Sequence, residues 1–578
     1  MTSPIDRLRP ATSVHRTARE LATTFGLAAA AGGTASDQGP DTLGAAEIWS
    51  VASDNRVVAD GDLFVALPGA GTHGARFASD AISRGARVVL TDPQGARLLA
   101  DAGEERVPVL VTEDPRAVLG RVAAWVYGEP ATQLTTFAVT GTNGKTTTTY
   151  LLDHLLRTLG WKGGLIGTVE MRSGDRVLPS RLTTPEAADL QALLATMRED
   201  GVGTLAMEVS SHALSLHRVD GIVFDVAGFT NLSQDHLDFH GDLQEYFEAK
   251  AALFTPQHAR RGVVVVDDAW GRRLAEAATI PVSTLSVTDG AAGTAVTGGT
   301  GGTDAADTAD GAVAGADWTV SDVRAVDAAA GTGSTFVLRH RDGRELRTST
   351  TLPGGFNVAN AALALAMVLE AGADPRDVAA ALETAGGVSA QVPGRMEVVG
   401  TAPRVVVDFA HNTDALSLAL AALRPTTAGR LVVVFGATGD RDKGKRPSMG
   451  AVAVEGADVV VITDDDPHGE DPAAIRAEVL AGARAAQQAA EVEQDAGVRD
   501  TVGHGGAPRA HTVVEVAPRA TAIRDTIREA APQDTVLVAG RGHEVWQEIA
   551  GVDHALDDRV EARAALAARH ETTKEHGE

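Results

Sequence analysis

Val139-Thr140-Gly141-Thr142-Asn143-Gly144-Lys145-Thr146-Thr147 follows the β-like run Thr136-Phe137-Ala138-Val139 and opens a helix-patterned segment, Tyr150-Leu151-Leu152-Asp153-His154-Leu155-Leu156. Strand, glycine-bearing loop and helix, in that order, are the context of a phosphate loop. The small residues let backbone N–H groups converge on phosphate oxygens, the helix start adds its own donors, and Lys145 adds a point charge. Thr146 would put its hydroxyl on Mg²⁺. Residues Gly141 to Thr147 are therefore expected to bind a triphosphate. The spacing is shorter than in a Walker loop: only Thr142 and Asn143 separate the glycines.

The chain around this loop has 578 residues. At about 150 residues per domain, that predicts three or four domains. Fifty-one Lys and Arg against 77 Asp and Glu give a net charge of −26, which offers a nucleic-acid partner no electrostatic support. The absence of Cys excludes disulfides, thiolate metal sites and thiol catalysis, and fits a reducing compartment. With no basic-then-apolar leader and no uncharged apolar run near 18 residues, the expectation is a cytoplasmic monomer acting on small molecules, without membrane insertion.

Short strands alternating with helices predict an α/β chain of three domains. Residues 1–134 form a small α/β unit with strands at Asp62–Leu67 and Arg87–Leu90 and a helix over Ala78–Arg84. Residues 135–392 carry the phosphate loop on a mainly parallel sheet. Residues 393–578 hold four β-branched runs, Val405–Phe409, Leu431–Phe435, Val459–Ile462 and Thr535–Ala539, the pattern of a buried Rossmann-like parallel sheet. Two Gly/Ala/Asp-rich tracts, about 286–317 and 485–506, lack large apolar groups and read as surface insertions, the first of them mobile.

Beyond the phosphate loop, Glu208 lies inside the strand-like Thr204–Val209 and is a candidate metal ligand. His236, Asp238 and His240 alternate, so an extended backbone would project them to one side and offer a Mg²⁺ site together with Glu208. Tyr246, Lys250 and Phe254 fall four apart on one face of a predicted helix; by itself Lys250 reads as a lysine at the edge of that face. In the last third, the strand ends carry Asp408 to Asn412, Gly436 to Pro447, Thr463 to His468 and Gly540 to Glu544, which would converge on one rim.

The shortened phosphate loop, Thr183-Thr184-Pro185, Glu208-Val209-Ser210-Ser211-His212, Asn231-Leu232-Ser233-Gln234-Asp235-His236-Leu237-Asp238 and Lys250-Ala251-Ala252-Leu253-Phe254 occur in one order that resembles the Mur ligase family, and within it the branch adding the third residue of the peptidoglycan stem. The resemblance implies an N-terminal domain holding a UDP-sugar, a central ATPase domain and a C-terminal domain closing over ATP. It implies phosphorylation of a D-glutamate carboxylate by ATP and attack of an amino acid on the acyl phosphate. Lys145, Glu208, His236 and Lys250 would be catalytic, with Thr146, Glu208, His236 and a CO₂-derived carbamate on Lys250 holding Mg²⁺.

Asn357, Asn360, Asp408, His411, Asp440 and Lys443 would complete the ATP site. Thr183, Thr184, Ser210 and Arg218 would hold the muramyl-peptide; Asn55 stands where the family's uridine pocket has serine, and Leu216 where a polar contact is common. Arg441, Asp466, His468, Gly540 and Glu544 would meet the incoming amino acid.

Family members using meso-diaminopimelate carry Asp-Asn-Pro-Arg, whereas this chain has Asp465-Asp466-Pro467-His468. An aspartate beside the distal carboxylate of diaminopimelate would repel it by about 1 kcal/mol in water and up to about 4 kcal/mol at an effective dielectric near 20. The expectation is therefore L-lysine or L-ornithine, with meso-diaminopimelate as the alternative through a protonated His468. Another ligase of the superfamily and a non-catalytic nucleotide-binding protein are the two other readings.

Overall fold

The computed structural model describes residues 9–12, 14–30, 42–69, 71–180, 182–287, 315–328, 331–495, 510 and 512–575. At the N-terminal end, strands Ser50–Ala52, Asp62–Ala66, Val88–Thr91 and Val109–Val111 pair in parallel, and Ala28–Ala29 adds an antiparallel edge. The predicted helix Ala78–Arg84 is present. Helix α1 (Pro115–Val126) begins at Asp114, whose carboxylate accepts from the amides of Arg116 and Ala117, with proline at the first turn, the arrangement that starts a helix most cheaply.

The central sheet has eleven strands. It runs parallel from Gly163–Ile166 across to Trp318–Ala328, with antiparallel strands at both edges. Strand β1 (Thr135–Thr140) lies inside it and leads through the phosphate loop into α2 (Lys145–Thr158). Because side chains alternate along a strand, Phe137 and Val139 bury against Leu151, Leu152 and Leu155 of α2, while Ala138 faces the opposite layer. That opposite layer is α3 (Ala187–Glu199), whose Leu190, Leu193, Leu194 and Met197 pack on the central sheet. The other side of α3, Ala187, Ala188, Ala192 and Ala195, belongs to the core of the N-terminal domain with Leu119 and Val122 of α1.

Strand β2 (Thr204–Glu208) pairs with β1, so Glu208 lies beside Val139 at the carboxyl end of the sheet. Next come α4 (Leu237–His240), α5 (Leu243–Ala251) and the long apolar helix α6 (Gly355–Glu370). Asn357 and Asn360 lie within the first two turns of α6. The helical residues 237–240 replace the extended run expected from the His236, Asp238, His240 alternation: His236 takes a left-handed φ of 55° and a helical turn follows.

In the C-terminal domain β3 (Arg404–Asp408), with α7 (Thr413–Leu423), β4 (Leu431–Phe435), α8 (Lys445–Gly456), β5 (Val459–Ile462) and β6 (Thr535–Ala539) build a six-stranded sheet. The order β3-β6-β4-β5 is parallel throughout. Val433, Phe435, Val460 and Leu537 fill one face and Val405, Val407, Val432 and Val538 the other, as expected for strands covered on both sides. Most of the tract at 286–317 lies outside the described residues. Of the second tract, residues 485–495 continue the helix Pro472–Asp495 instead of forming an insertion, and residues 496–506 lie outside the described residues. Among the described residues no helix is long and apolar enough to cross a membrane.

Candidate active site

The phosphate loop closes tightly against the chain that follows the strand Val226–Phe229 and against α6. Gly141 has φ 145°, and a Cβ there would sit 1.9 Å from Thr230 Oγ1; Gly144 has φ 90°, and a Cβ there would meet Asn360 Oδ1 at 2.4 Å. Only glycine fits both positions. Asn360 is itself oriented by α6, donating through Nδ2 to Asn357 Oδ1 at 3.1 Å, and Asn357 Nδ2 donates to Pro353 O at 2.7 Å. Lys145 Nζ lies in the curl of the loop, donating to Gly141 O at 3.0 Å and Thr142 O at 2.9 Å. Burial lowers its pKa, against the opposing pull of Glu208 and Asp235.

Glu208 is fully buried. Its Oε2 accepts from Thr146 Oγ1 at 2.9 Å and Thr168 Oγ1 at 3.0 Å, and Oε1 from the Thr168 amide at 2.8 Å. Thr168 Oγ1 is also 3.1 Å from Thr183 Oγ1, in hydrogen-bond contact with it, while Thr184 Oγ1 donates to Glu208 O at 3.0 Å and accepts from the Ser210 amide. Arg218 donates to Thr184 O and pairs with Glu186 at 2.7 Å. Thr183 thus joins the phosphate loop through Thr168 and the Glu208 carboxylate, whereas Thr184 is tied to the Glu208 backbone carbonyl and Ser210 and Arg218 to Thr184. Asn55 lies apart, in the N-terminal domain, donating to Asp80.

Lys250 is 1% exposed and donates to Gly141 O at 2.7 Å, with its ammonium 4.4 Å from the Tyr246 ring centre. Burial and the neighbouring Lys145 drive its pKa well down. His236 is held neutral, pushed down to about 3 by burial despite the adjacent Asp235. His236 stands 5.0 Å from the ring centre of His212; His240 turns away to hydrogen-bond Ser211 at 2.8 Å, and Asp238 faces Arg441 at 3.8 Å. The expected one-sided trio is thus divided among three environments, because the helical turn of α4 rotates successive side chains by about 100° instead of 180°.

Asp235, Arg395 and Asn412 were given no role by sequence reasoning, yet all three reach across to the C-terminal domain or from it. Asn412 Nδ2 donates to Asn143 Oδ1 at 3.2 Å and to Asp235 Oδ2 at 3.3 Å, and His411 Nε2 is 3.4 Å from that same oxygen. Burial raises the Asp235 carboxyl, but the His411 hydrogen bond and the charges of His411, His236 and Lys445 outweigh it and hold it well below the usual range. Arg395 donates to Thr146 Oγ1 at 3.2 Å while stacked 4.1 Å above the Phe409 ring, and Asp408 is fixed by the Met396 amide at 2.6 Å. No spacing rule links positions this far apart in sequence; the one local signal was polar residues clustered at strand ends. Asp440 and Lys443 are organised around Glu470, which accepts from the Asp440 amide at 2.6 Å and pairs with Lys443 Nζ at 2.9 Å.

At the far rim, Asp465, Asp466 and Glu544 bring carboxylate oxygens within 4.8 Å of one another. Asp466 is ion-paired with the fully buried Arg541 and accepts the Glu548 amide at 3.0 Å. His468, at φ 48°, pairs through Nδ1 with Glu548 at 3.0 Å. Gly540, at φ 116°, lets Asp465 approach: a Cβ there would lie 2.3 Å from Asp465 Oδ2. Burial and the Asp465 charge push Glu544 up to about 8.

Family comparison separates this arrangement from other phosphate-loop proteins. Residues 47–127 match the Mur ligase family catalytic domain, 139–368 the Mur ligase middle domain and 394–542 the Mur ligase glutamate ligase domain. A UDP-N-acetylmuramyl-tripeptide synthetase of Leifsonia xyli subsp. xyli is 45% identical over 98% of this chain and 99% of its own. The chain belongs to the Mur ligase family.

A second relative of this Mur ligase, a UDP-N-acetylmuramoyl-L-alanyl-D-glutamate–2,6-diaminopimelate ligase of Streptomyces coelicolor, is 45% identical over 95% of this chain and 96% of its own. A solved diaminopimelate ligase structure superposes with a TM-score of 0.58 at 29% identity, covering 97% of this chain and 100% of that one. As a Mur ligase the protein is an ATP-dependent acid–amino-acid ligase of peptidoglycan synthesis. The three-domain α/β architecture expected from the sequence is the family's. The donor set fits Mg²⁺: Thr146 Oγ1 and Glu208 Oε2 are hard oxygens 2.9 Å apart at the phosphate end of the loop.

Proposed function

We propose that this Mur ligase adds the third amino acid to UDP-N-acetylmuramoyl-L-alanyl-D-glutamate, and that the amino acid is meso-diaminopimelate. What carries the reading is the set of relatives named for that substrate, 44–46% identical over 87–95% of this chain. The site supports it. The preference for L-lysine or L-ornithine required Asp466 to present a free negative charge, but Asp466 is neutralised by Arg541 and by the Glu548 amide. Burial also raises its carboxyl pKa. Its repulsion of a distal carboxylate therefore falls well below the Coulomb figure for a bare pair, and the lysine preference loses its premise.

The chemistry divides among the named groups. Thr183, Thr184, Ser210 and Arg218 orient the muramyl-dipeptide so that its D-glutamate carboxylate faces the phosphate loop. A bond forms from that carboxylate to the γ-phosphorus, the bond to the β,γ-bridging oxygen breaks, and ADP leaves with the electron pair. Lys145 offsets charge on the transferring group, a task of electrostatics and positioning with little covalent work for the protein. The incoming amine, oriented by Arg441, His468 and Glu544, attacks the acyl carbon, loses a proton and expels phosphate.

Thr146, Glu208 and neutral His236 would hold Mg²⁺, which shields the phosphate oxygens when bound. Lys250, whose pKa burial and the neighbouring Lys145 drive well down, would take up CO₂ through its unprotonated form as a carbamate and so become an anionic ligand. Asn357 and Asn360 border the adenine side, with Asp408 and His411 from the closing domain. The reading is of a cytoplasmic monomer, in keeping with a chain that has no Cys.

The test is ADP release with ATP, Mg²⁺ and UDP-muramoyl-L-alanyl-D-glutamate, offering meso-diaminopimelate, L-lysine and L-ornithine separately. The expected result is a kcat/KM at least about a hundredfold higher for diaminopimelate. Preference for a mono-carboxylate diamine overturns the amino-acid assignment, and silence with all three points to another Mur ligase.

A further inference from the structure

The loop that carries Asp466 and His468 is held by a hairpin from the last part of the C-terminal domain. Strands β7 (Trp546–Ile549) and β8 (Val552–Ala555) pair antiparallel around Ala550 and Gly551. Those two residues have φ values of 52° and 78°, the left-handed pair that joins two strands most tightly. The hairpin takes both backbone groups of His468: its amide donates to Glu548 O at 3.2 Å, and its carbonyl accepts from the Ala550 amide at 2.7 Å. His468 stands at φ 48°, a conformation that a residue other than glycine keeps only where its surroundings impose it. Here the hairpin imposes it.

Glu548 grips the same loop at two more points. Its amide donates to Asp466 Oδ1 at 3.0 Å, and its Oε2 lies 3.0 Å from His468 Nδ1. A carboxylate oxygen only accepts, so Nδ1 carries the proton of that bond, and His468 Nε2 has no hydrogen-bond partner among the described residues. The His468 side chain is 23% exposed, within reach of a ligand. The guanidinium nearest to Asp466 is already committed: Arg541 is fully buried, ion-paired with Asp466 and bonded to the Trp546 carbonyl. Diaminopimelate brings two carboxylates to this rim. Arg441 can meet one of them, and the second needs another donor.

We propose that Glu548 is a positioning residue for amino-acid specificity, setting His468 so that its Nε2 meets the second carboxylate of the incoming diaminopimelate. The assignment rests on the diaminopimelate reading above and deepens it. Between the Glu548 carboxylate on Nδ1 and the substrate carboxylate on Nε2, the imidazole donates to both and carries the positive charge. L-Lysine has no second carboxylate and makes no use of this donor. The side chain of Glu548 therefore acts on diaminopimelate alone, through His468, while its backbone bonds keep the loop in place whatever side chain it bears.

A double-mutant cycle tests this, with ADP release measured at saturating ATP and UDP-muramoyl-L-alanyl-D-glutamate and with meso-diaminopimelate and L-lysine titrated separately. Glu548→Gln is expected to lower the ratio of kcat/KM for diaminopimelate to that for L-lysine by about tenfold or more. The loss should lie in the KM for diaminopimelate, with kcat and the KM for ATP within a few-fold of wild type. In a His468→Ala background, where the ratio has already fallen, Glu548→Gln should add nothing. An unchanged ratio in Glu548→Gln overturns the assignment, as does an equal loss for both amino acids or a full loss that persists without His468. A wild-type enzyme that prefers L-lysine overturns the diaminopimelate reading itself, before any variant is compared, and the assignment with it. Glu548→Ala, which keeps the backbone bonds to Asp466 and His468, decides the question if the glutamine variant fails to fold.

Discussion

Lys250 and Glu544 are both ionisable groups displaced from their ordinary charge by burial, and the displacement states what each can do. Lowering the pKa of an amine favours its unprotonated form, which can react with CO₂ as an ammonium cannot. Lys250→Ala is expected to lower turnover by at least about a thousandfold while leaving ATP binding intact, measured by ADP release and by nucleotide titration; full activity would remove the carbamate from the mechanism. Glu544 is mostly neutral below about 8 and anionic above it. An ammonium on the incoming amino acid is held better by the anion, so the KM for the amino acid should fall as pH rises through about 8, and Glu544→Gln should flatten that profile.

The sign for stability is the reverse. The folded state keeps the Glu544 proton that the unfolded chain has lost above the ordinary carboxylate range, so this group destabilises the fold progressively as pH rises toward about 8. Glu544→Gln should therefore raise the melting temperature at pH 8 and leave it nearly unchanged at pH 4. Neither displaced pKa was readable in the sequence, since burial belongs to the assembled molecule. The identity of Lys250 as a special lysine came only from its family motif.

At the scale of elements, the sheets were legible because their strands are runs of β-branched residues between turn signals: β4 and β5 occupy the residues expected of them. The short polar elements were not. Residues 236–240 alternate as a strand would, yet they fold as a helical turn entered through a left-handed histidine, a backbone choice that alternation of polar residues does not encode. The phosphate loop was legible because glycine placement is dictated by backbone geometry. Gly144→Ala puts a Cβ 2.4 Å from Asn360 Oδ1 at a positive φ, at a cost of about 2–4 kcal/mol. It should lower ATP affinity at least tenfold and the melting temperature by several degrees; unchanged affinity would mean that the nucleotide phosphates are seated elsewhere.

At the scale of the molecule, the C-terminal domain meets the central domain through polar contacts: Asn412 on Asn143 and Asp235, Arg395 on Thr146, Gln234 on Asp442 at 3.3 Å. The cavity left between them, lined by Asn143, Thr147, Asn360, Arg395 and Phe409, is only about 70 Å³, well below the roughly 300 Å³ of an ordinary ligand pocket. If the nucleotide binds there as proposed, these walls would have to part, and polar contacts of this kind are weak enough to allow it. A wider groove of about 840 Å³, lined by Arg324, Arg347 and Gly387 among others, is not lined by Lys145, Glu208, His236 or Lys250. Such cross-domain contacts were beyond the sequence, because nothing local links Asn143 with Asn412.

The N-terminal domain is attached in another way. Helix α3 gives its leucines to the central sheet and its alanines to the N-terminal core, and Gly120 of α1 lies so close to Asp220 that a Cβ would be 2.1 Å from its carbonyl oxygen. One rigid rod is thus mortised into two cores at once. For the substrate proposed above, the span from the nucleotide end to the phosphate loop would then be a fixed gauge, and a stem one residue too short or too long would present its carboxylate to the wrong place.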